Sequence, residues 1–238
     1  MRPAPEATRE RQDVTSEAPR PEGAVKATGA VKAKGAVKAA AAELRTAVHE
    51  LADRSVDAAP DVDALREASA LVRAAAARLQ GEPFPRWWEG PAVDDDERDG
   101  LRHYRHRSLF QGELHPFSPA LDWTDGAGPE GTAGYRFRVT LSRLYEGPPA
   151  AVHGGYLAGL FDELLGAVQG LAAGGGGYTG RLIVRYRSLT PIEEELRFAG
   201  WIVSDTGRRI VTNATCHAGD RRCAEAVGLL VRPPEAPE

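Results

Sequence analysis

A histidine, two glycines and a pair of acids are the residues of this 238-residue chain best placed to do chemistry, and one stretch, Gly147 to Gly170 (GPPAAVHGGYLAGLFDELLGAVQG), holds them all. Pro148 and Pro149 forbid a regular helix before His153, while Gly154 and Gly155 permit a tight turn whose amide N–H groups no side chain covers. From Tyr156 onward Leu157, Leu160, Phe161, Leu164, Leu165 and Val168 occupy most of a helix circumference, which predicts a helix buried on nearly all sides. Amides fixed at the start of such a helix favour a developing negative charge. Asp162 and Glu163 then stand where an unpaired carboxylate is costly, so at least one of them must face a cleft or a subunit boundary. Asp162 follows His153 by nine residues, on the order of 10 Å along the axis, too far for one copy to clamp a single carbonyl with both ends. Two antiparallel copies across a twofold axis would bring the N-terminus of one beside the acid of the other. On residue type alone, a salt bridge from either acid to a nearby arginine explains the pair equally well.

The elements that must position this helix read as sheet. Ala120 to Thr124, a glycine-rich link, and then Tyr135, Phe137, Val139 and Leu141 alternating with Arg136, Arg138 and Thr140 predict a hairpin with one buried face. Strands are predicted over Gly180 to Leu189, Glu195 to Ser204, Arg208 to His217 and Arg222 to Val231, with Asp205-Thr206-Gly207 and Ala218-Gly219-Asp220 as turns. Gly174 to Gly177 breaks the central helix; nothing after it looks like Gly-Lys-Ser, so it is read as a link rather than a phosphate loop. Arg181, Arg185 and Arg187 alternate with Leu182, Val184 and Tyr186, and Arg208 with Arg209 opens a later strand. On pattern alone these arginines belong to the wet face of an antiparallel sheet.

Residues 1–40 predict a disordered tail in which GAVKAT, GAVKAK and GAVKAA recur back to back. A helix is expected to start near Ala39, with Leu44, Ala47, Val48 and Leu51 on one face, and a second after Pro60 with Val62, Leu65, Val72 and Leu79 and Asp61 as its N-cap. Together they give an amphipathic hairpin over 41–80. A connector at 81–107 carries Trp87 and Trp88, expected to plug a groove. Net charge is −4, so no overall field argues for nucleic acid or membrane, and no apolar run reaches the length of a signal or a span. Cys216 and Cys223 are expected as free thiols in a reducing compartment, which points to the cytoplasm, and they lack zinc-like spacing.

Val152-His153-Gly154-Gly155, followed by Asp162 and then by strands, resembles the hot-dog-fold acyl-CoA thioesterases of the PaaI type. The resemblance spans residues 108–232, with a short tail at 233–238. It implies an α+β hot-dog fold, an antiparallel sheet wrapped around a long central helix, here with an N-terminal helical extension. It also implies an acyl-CoA thioesterase working as a homodimer, possibly a homotetramer, on acyl-CoA or an acyl carrier protein thioester, with no metal and no cofactor beyond the substrate's CoA. The Gly154 amide, with Gly155 beside it, would polarise the thioester carbonyl, and Asp162 would act as base or nucleophile from the partner subunit. Thr179, seven residues before Tyr186, would place the water or the carboxylate. His153, at the helix start, joins this set with a structural role ahead of a basic one, and Glu163 is left as a salt-bridge partner. Arg185, Arg187, Tyr186, Arg208 and Arg209 would bind the substrate, the arginines through CoA phosphates. His106 and His115 are candidates for the cleft mouth. The sequence departs from the pattern at Gly147, where some relatives carry Asn or Gln, and at His115, where an Asn is usual. Two other readings stay open: a hot-dog dehydratase or hydratase using His153 as base, and a non-catalytic acyl-CoA-binding module.

Overall fold

A computed structural model of the chain describes residues 22–81, 108–112, 115–173 and 175–233, with side chains from residue 35 onward. Two helices come first, α1 at Glu22–Asp57 and α2 at Val62–Arg78. Strands β1 at Asp122–Ala127 and β2 at Ala133–Thr140 precede helix α3 at Gly154–Gln169. Then follow β3 at Tyr178–Tyr186, β4 at Glu195–Thr206, β5 at Arg209–Ala218 and β6 at Arg221–Val231. The strands form one sheet in the order β1-β2-β4-β5-β6-β3, and every pairing is antiparallel. This is a hot-dog arrangement, the sheet curling around α3 as the sequence implied.

The period-2 pattern explains which face of the sheet covers the helix. Along β5, Ile210, Thr212, Ala214, Cys216 and Ala218 are buried while the residues between them are not, so one face of the sheet meets α3 and the other meets water. The six apolar residues of α3 that the sequence singled out are all buried, against Phe137, Val139, Leu196, Phe198, Ala214 and Ala226 of the sheet. Each such Leu or Phe contributes about 1.5–3 kcal/mol by leaving water. Gly200 lets the helix come this close, because a Cβ there would stand 2.9 Å from Leu164 Cγ. Strand ends agree with expectation to within a few residues, β1 beginning and ending slightly later than predicted.

The N-terminal segment differs more. α1 begins at Glu22, not near Ala39, and so runs through the repeats expected to be disordered. Alanine and lysine are strong helix formers, and once a helix is seeded each added residue costs little, which outweighs the spaced glycines. The described residues divide into two units between Ala40 and Ala41. Asp61 caps α2 as expected, accepting from the N–H groups of Asp63 and Ala64. Yet α2 buries none of its residues, and its stripe of Val62, Leu65, Val72 and Leu79 is exposed. Trp87, Trp88 and His106 lie outside the described residues. Cys216 and Cys223 are both buried free thiols, and burial pushes the Cys216 thiol up. Among the described residues no helix is long and apolar enough to cross a membrane.

Candidate active site

The amino end of α3 is pinned from both sides before it becomes a helix. Val152 N–H donates to the Thr190 carbonyl and His153 N–H to the Tyr145 carbonyl, each at 2.8 Å. His153 is the N-cap residue, and its ring Nδ1 accepts the Gly155 N–H at 3.1 Å. The sequence reading gave both glycine amides to a substrate carbonyl; one of them is already taken by the cap. An imidazole that accepts at Nδ1 carries its proton on Nε2 when neutral, so His153 is an orienting residue of the turn. The Gly154 N–H makes no hydrogen bond among the described residues. The next peptide along is held as well, where the Tyr186 hydroxyl donates to the Gly154 carbonyl at 2.8 Å. A Cβ added at Gly147 would lie 2.7 Å from His153 Cα, so the turn closes over the place where some relatives carry an amide side chain.

Asp162 is exposed on α3, between buried Phe161 and half-buried Glu163. The Thr179 hydroxyl donates to Asp162 Oδ1 at 3.0 Å, so the structure joins two residues that the resemblance had linked. Glu163 turns away, as expected from the helix period, and its carboxylate accepts hydrogen bonds from the lead-in segment. Ser108 Oγ donates to its Oε2 at 2.8 Å and the Gln111 amide donates to its Oε1. These bonds fasten the lead-in segment to α3 and press Phe110 against Tyr156, their ring centroids 5.2 Å apart. Gly159 makes the room, because a Cβ there would stand 2.1 Å from Phe110 Cζ.

Beside the helix N-terminus lies an open cleft of about 370 Å³ lined by Phe110, Leu144, Tyr145, Glu146, His153, Gly155 and Tyr156. The Tyr145 and Tyr156 hydroxyls both donate to the Phe117 carbonyl, at 3.0 and 3.4 Å. Burial pushes the Tyr145 phenol up to about 12, and burial with the neighbouring Tyr145 raises Tyr156 as well, so both are neutral donors across the physiological range. Neither tyrosine was singled out as a site residue from the sequence, because each falls within an apolar pattern and reads as core. His115 sits outside this lining, with its Nδ1 accepting from Phe117 N–H at 3.3 Å and its pKa lowered by burial.

The five substrate-binding candidates do not come together within one chain. Arg185 and Arg187 flank Tyr186 at the end of β3 and, with Arg222, surround the single carboxylate of Glu225. The hydrogen bond from Arg187, with the positive charge of Arg185 and Arg222, holds the Glu225 carboxyl below its usual range. Arg209 is opposite Val231, and Val231 is opposite Tyr178, at the other end of β3. Register therefore sets Arg208 and Arg209 about 26 Å from the Arg185–Arg187 end. Among the described residues no group of His, Cys, Asp and Glu is placed to hold a metal ion.

No family model matches the chain, and no curated protein matches it. Solved structures do. A crystal structure of a thioesterase superfamily protein aligns with a TM-score of 0.63 and 26% identity over 80% of this chain and 94% of that one. The fold is that of the thioesterase superfamily. A Streptococcus mutans protein solved bound to acetyl CoA aligns at 17% identity and a TM-score of 0.42, covering 48% of this chain and 92% of its own. Mouse thioesterase superfamily member 2 aligns at 16% identity and a TM-score of 0.41, covering 47% of this chain and 83% of its own.

Proposed function

We propose that the chain is an acyl thioesterase whose reacting centre is shared between two copies. The observation that carries this reading is the placement of two half-sites at opposite ends of one edge strand. Thr179, near the start of β3, holds Asp162, and Tyr186, at its end, holds the Gly154 carbonyl. Gly154 and Asp162 are separated by about 12 Å along α3, too far to act on one carbonyl from the same chain. Among the described residues β3 pairs only with β6 and ends the sheet, and it exposes Tyr178, Ile183 and Tyr186. Such an edge invites a partner strand. A twofold axis through the middle of β3, beside Leu182 and Ile183, would set the Thr179–Asp162 end of one copy against the Tyr186–Gly154 end of the other.

In that assembly the thioester oxygen points at the open Gly154 N–H, where the helix dipole adds to the fixed donor. Asp162, held through Oδ1, offers Oδ2 to a water, takes its proton, and the water oxygen attacks the carbonyl carbon. Collapse of the tetrahedral intermediate breaks the C–S bond, giving a free acid and a thiol that recovers the proton. Three arginines around one glutamate leave surplus positive charge beside Tyr186, which supports a phosphate-bearing thiol carrier such as CoA. The dehydratase reading asks His153 to act as a base, and the cap bond at Nδ1 speaks against it.

The test is thiol release from a panel of acyl-CoA thioesters by the purified full chain. Asp162→Asn is expected to lower kcat by about 10²–10⁴ with the fold intact, since it removes the base. Thr179→Ala should lower kcat by roughly tenfold, because it frees the carboxylate without removing it. Asp162→Asn turnover equal to wild type would end the hydrolytic assignment.

A further inference from the structure

Resting on the thioesterase reading, we propose that the cleft beside the α3 N-terminus receives the acyl group and that the N-terminal extension sets its depth. Phe110, Leu144, Tyr145 and Tyr156 give the cleft an apolar and aromatic lining, and His153 with Gly155 places it next to the amide assigned to the carbonyl oxygen. Its volume of about 370 Å³ is in the range of small-ligand pockets. Glu146 brings no free charge to it, because its carboxylate accepts the Ala150 N–H at 2.6 Å and faces Arg143 at 3.6 Å. A short acyl chain or an aryl group fits this chemistry; a charged one does not.

One wall of the cleft carries Tyr145 and Tyr156, whose hydroxyls meet at the Phe117 carbonyl. Residues of α1 fix that carbonyl from behind. Arg45 Nη2 donates to the Ser118 carbonyl at 2.8 Å, and His49 Nδ1 lies 3.2 Å from the Pro116 carbonyl. The His49 ring also lies against Tyr145, centroids 6.1 Å apart, and its Nε2 faces Asp53 at 3.5 Å. Asp53 in turn accepts from Ser142 Oγ at 2.6 Å, and Asp57 pairs with Arg143 at 3.2 Å, so the helix also grips the segment that carries Leu144 and Tyr145. Carbonyls on both sides of Phe117 and the turn before Tyr145 are thus tied to one face of α1. Arg45, His49 and Asp53 are positioning residues: they touch no substrate, but they hold the wall against which the acyl chain ends.

The experiment measures kcat/KM of the full-length protein for acetyl-, hexanoyl-, decanoyl- and phenylacetyl-CoA, in wild type, His49→Ala/Asp53→Ala and Tyr156→Phe. Loosening the wall is expected to raise the decanoyl-to-acetyl ratio of kcat/KM at least about tenfold in the double variant. The change should appear chiefly in KM for the longer chains, whereas general loss of structure would depress all substrates alike. Tyr156→Phe removes one hydroxyl from the Phe117 carbonyl without touching α1, and it is expected to move the ratio in the same direction should the double variant fail to fold. An unchanged decanoyl-to-acetyl ratio in the folded variants overturns this inference alone. Wild type inactive on every thioester overturns the hydrolase reading and the inference with it.

Discussion

A carboxylate on a helix buried nearly all round is informative because water would otherwise stabilise it, and Asp162 keeps that access while being steadied by one hydroxyl. Its neighbour Glu163 accepts from Ser108 and Gln111. Two adjacent acids of the same chemistry thus do different jobs because the helix turns them about 100° apart. His217 shows the same dependence on surroundings at a titrating residue. Burial first, and then the charges of Arg222 and Arg197, hold its pKa below the ordinary imidazole value. The unfolded chain therefore takes up this proton more readily than the folded one. The associated stability is fully present above the unfolded pKa, about 6.5, and is lost as pH falls below it toward the folded pKa. Urea denaturation at pH 7.5, 6 and 5 should accordingly show a larger acid-side loss in wild type than in His217→Gln. Parallel curves for the two proteins would contradict the assignment of the shift to folding.

At the scale of elements, the alternating strands and the all-round apolar helix were legible because each is a local period in the sequence, and the periods agree with β1 to β6 and α3. The Asp162–Thr179 pair was reached only through a motif resemblance, since no local rule brings a helix residue to a strand beyond a glycine link. Two features stayed hidden for physical reasons. A histidine is not among the preferred N-caps, so nothing in the sequence gave away that His153 takes up the Gly155 N–H. The grip of α1 consists of side chains reaching distant carbonyls, and such contacts leave no periodic trace. The notch at Gly159 is a third case, a glycine inside a helix whose reason is a neighbour far away in the chain. Alanine there would gain helix propensity of about 1 kcal/mol but must displace the ring of Phe110, which Tyr156 backs and the Glu163 bonds hold in place. Overpacking of this kind costs about 1–3 kcal/mol, and with the ring pinned the net change for Gly159→Ala should be a loss. Denaturant titration checks it, and a variant as stable as wild type would show that the lead-in segment is not clamped.

For the whole molecule, one strand connects the parts. β3 ends the sheet, touches Asp162 through Thr179 and touches Gly154 through Tyr186, so a dyad on this edge would complete two sites at once while neither chain holds a complete one. That proposition can be probed with two point variants that each cripple a different half. Asp162→Asn removes the acid. Gly154→Pro removes a single N–H at the first position of α3, where proline is well tolerated, and His153 before it has φ −57° and ψ 127°, a conformation that proline also accepts. Each variant alone should be nearly inactive. Unfolded together and refolded as an equal mixture, they should regain about a quarter of wild-type activity, because half of the dimers are mixed and each mixed dimer has one intact site. The most direct measurement is therefore thioester hydrolysis by that mixture, alongside its mass in solution. Recovery near a quarter with a two-chain mass is the predicted result; a mixture that forms two-chain particles yet stays as inactive as its components would contradict the shared site.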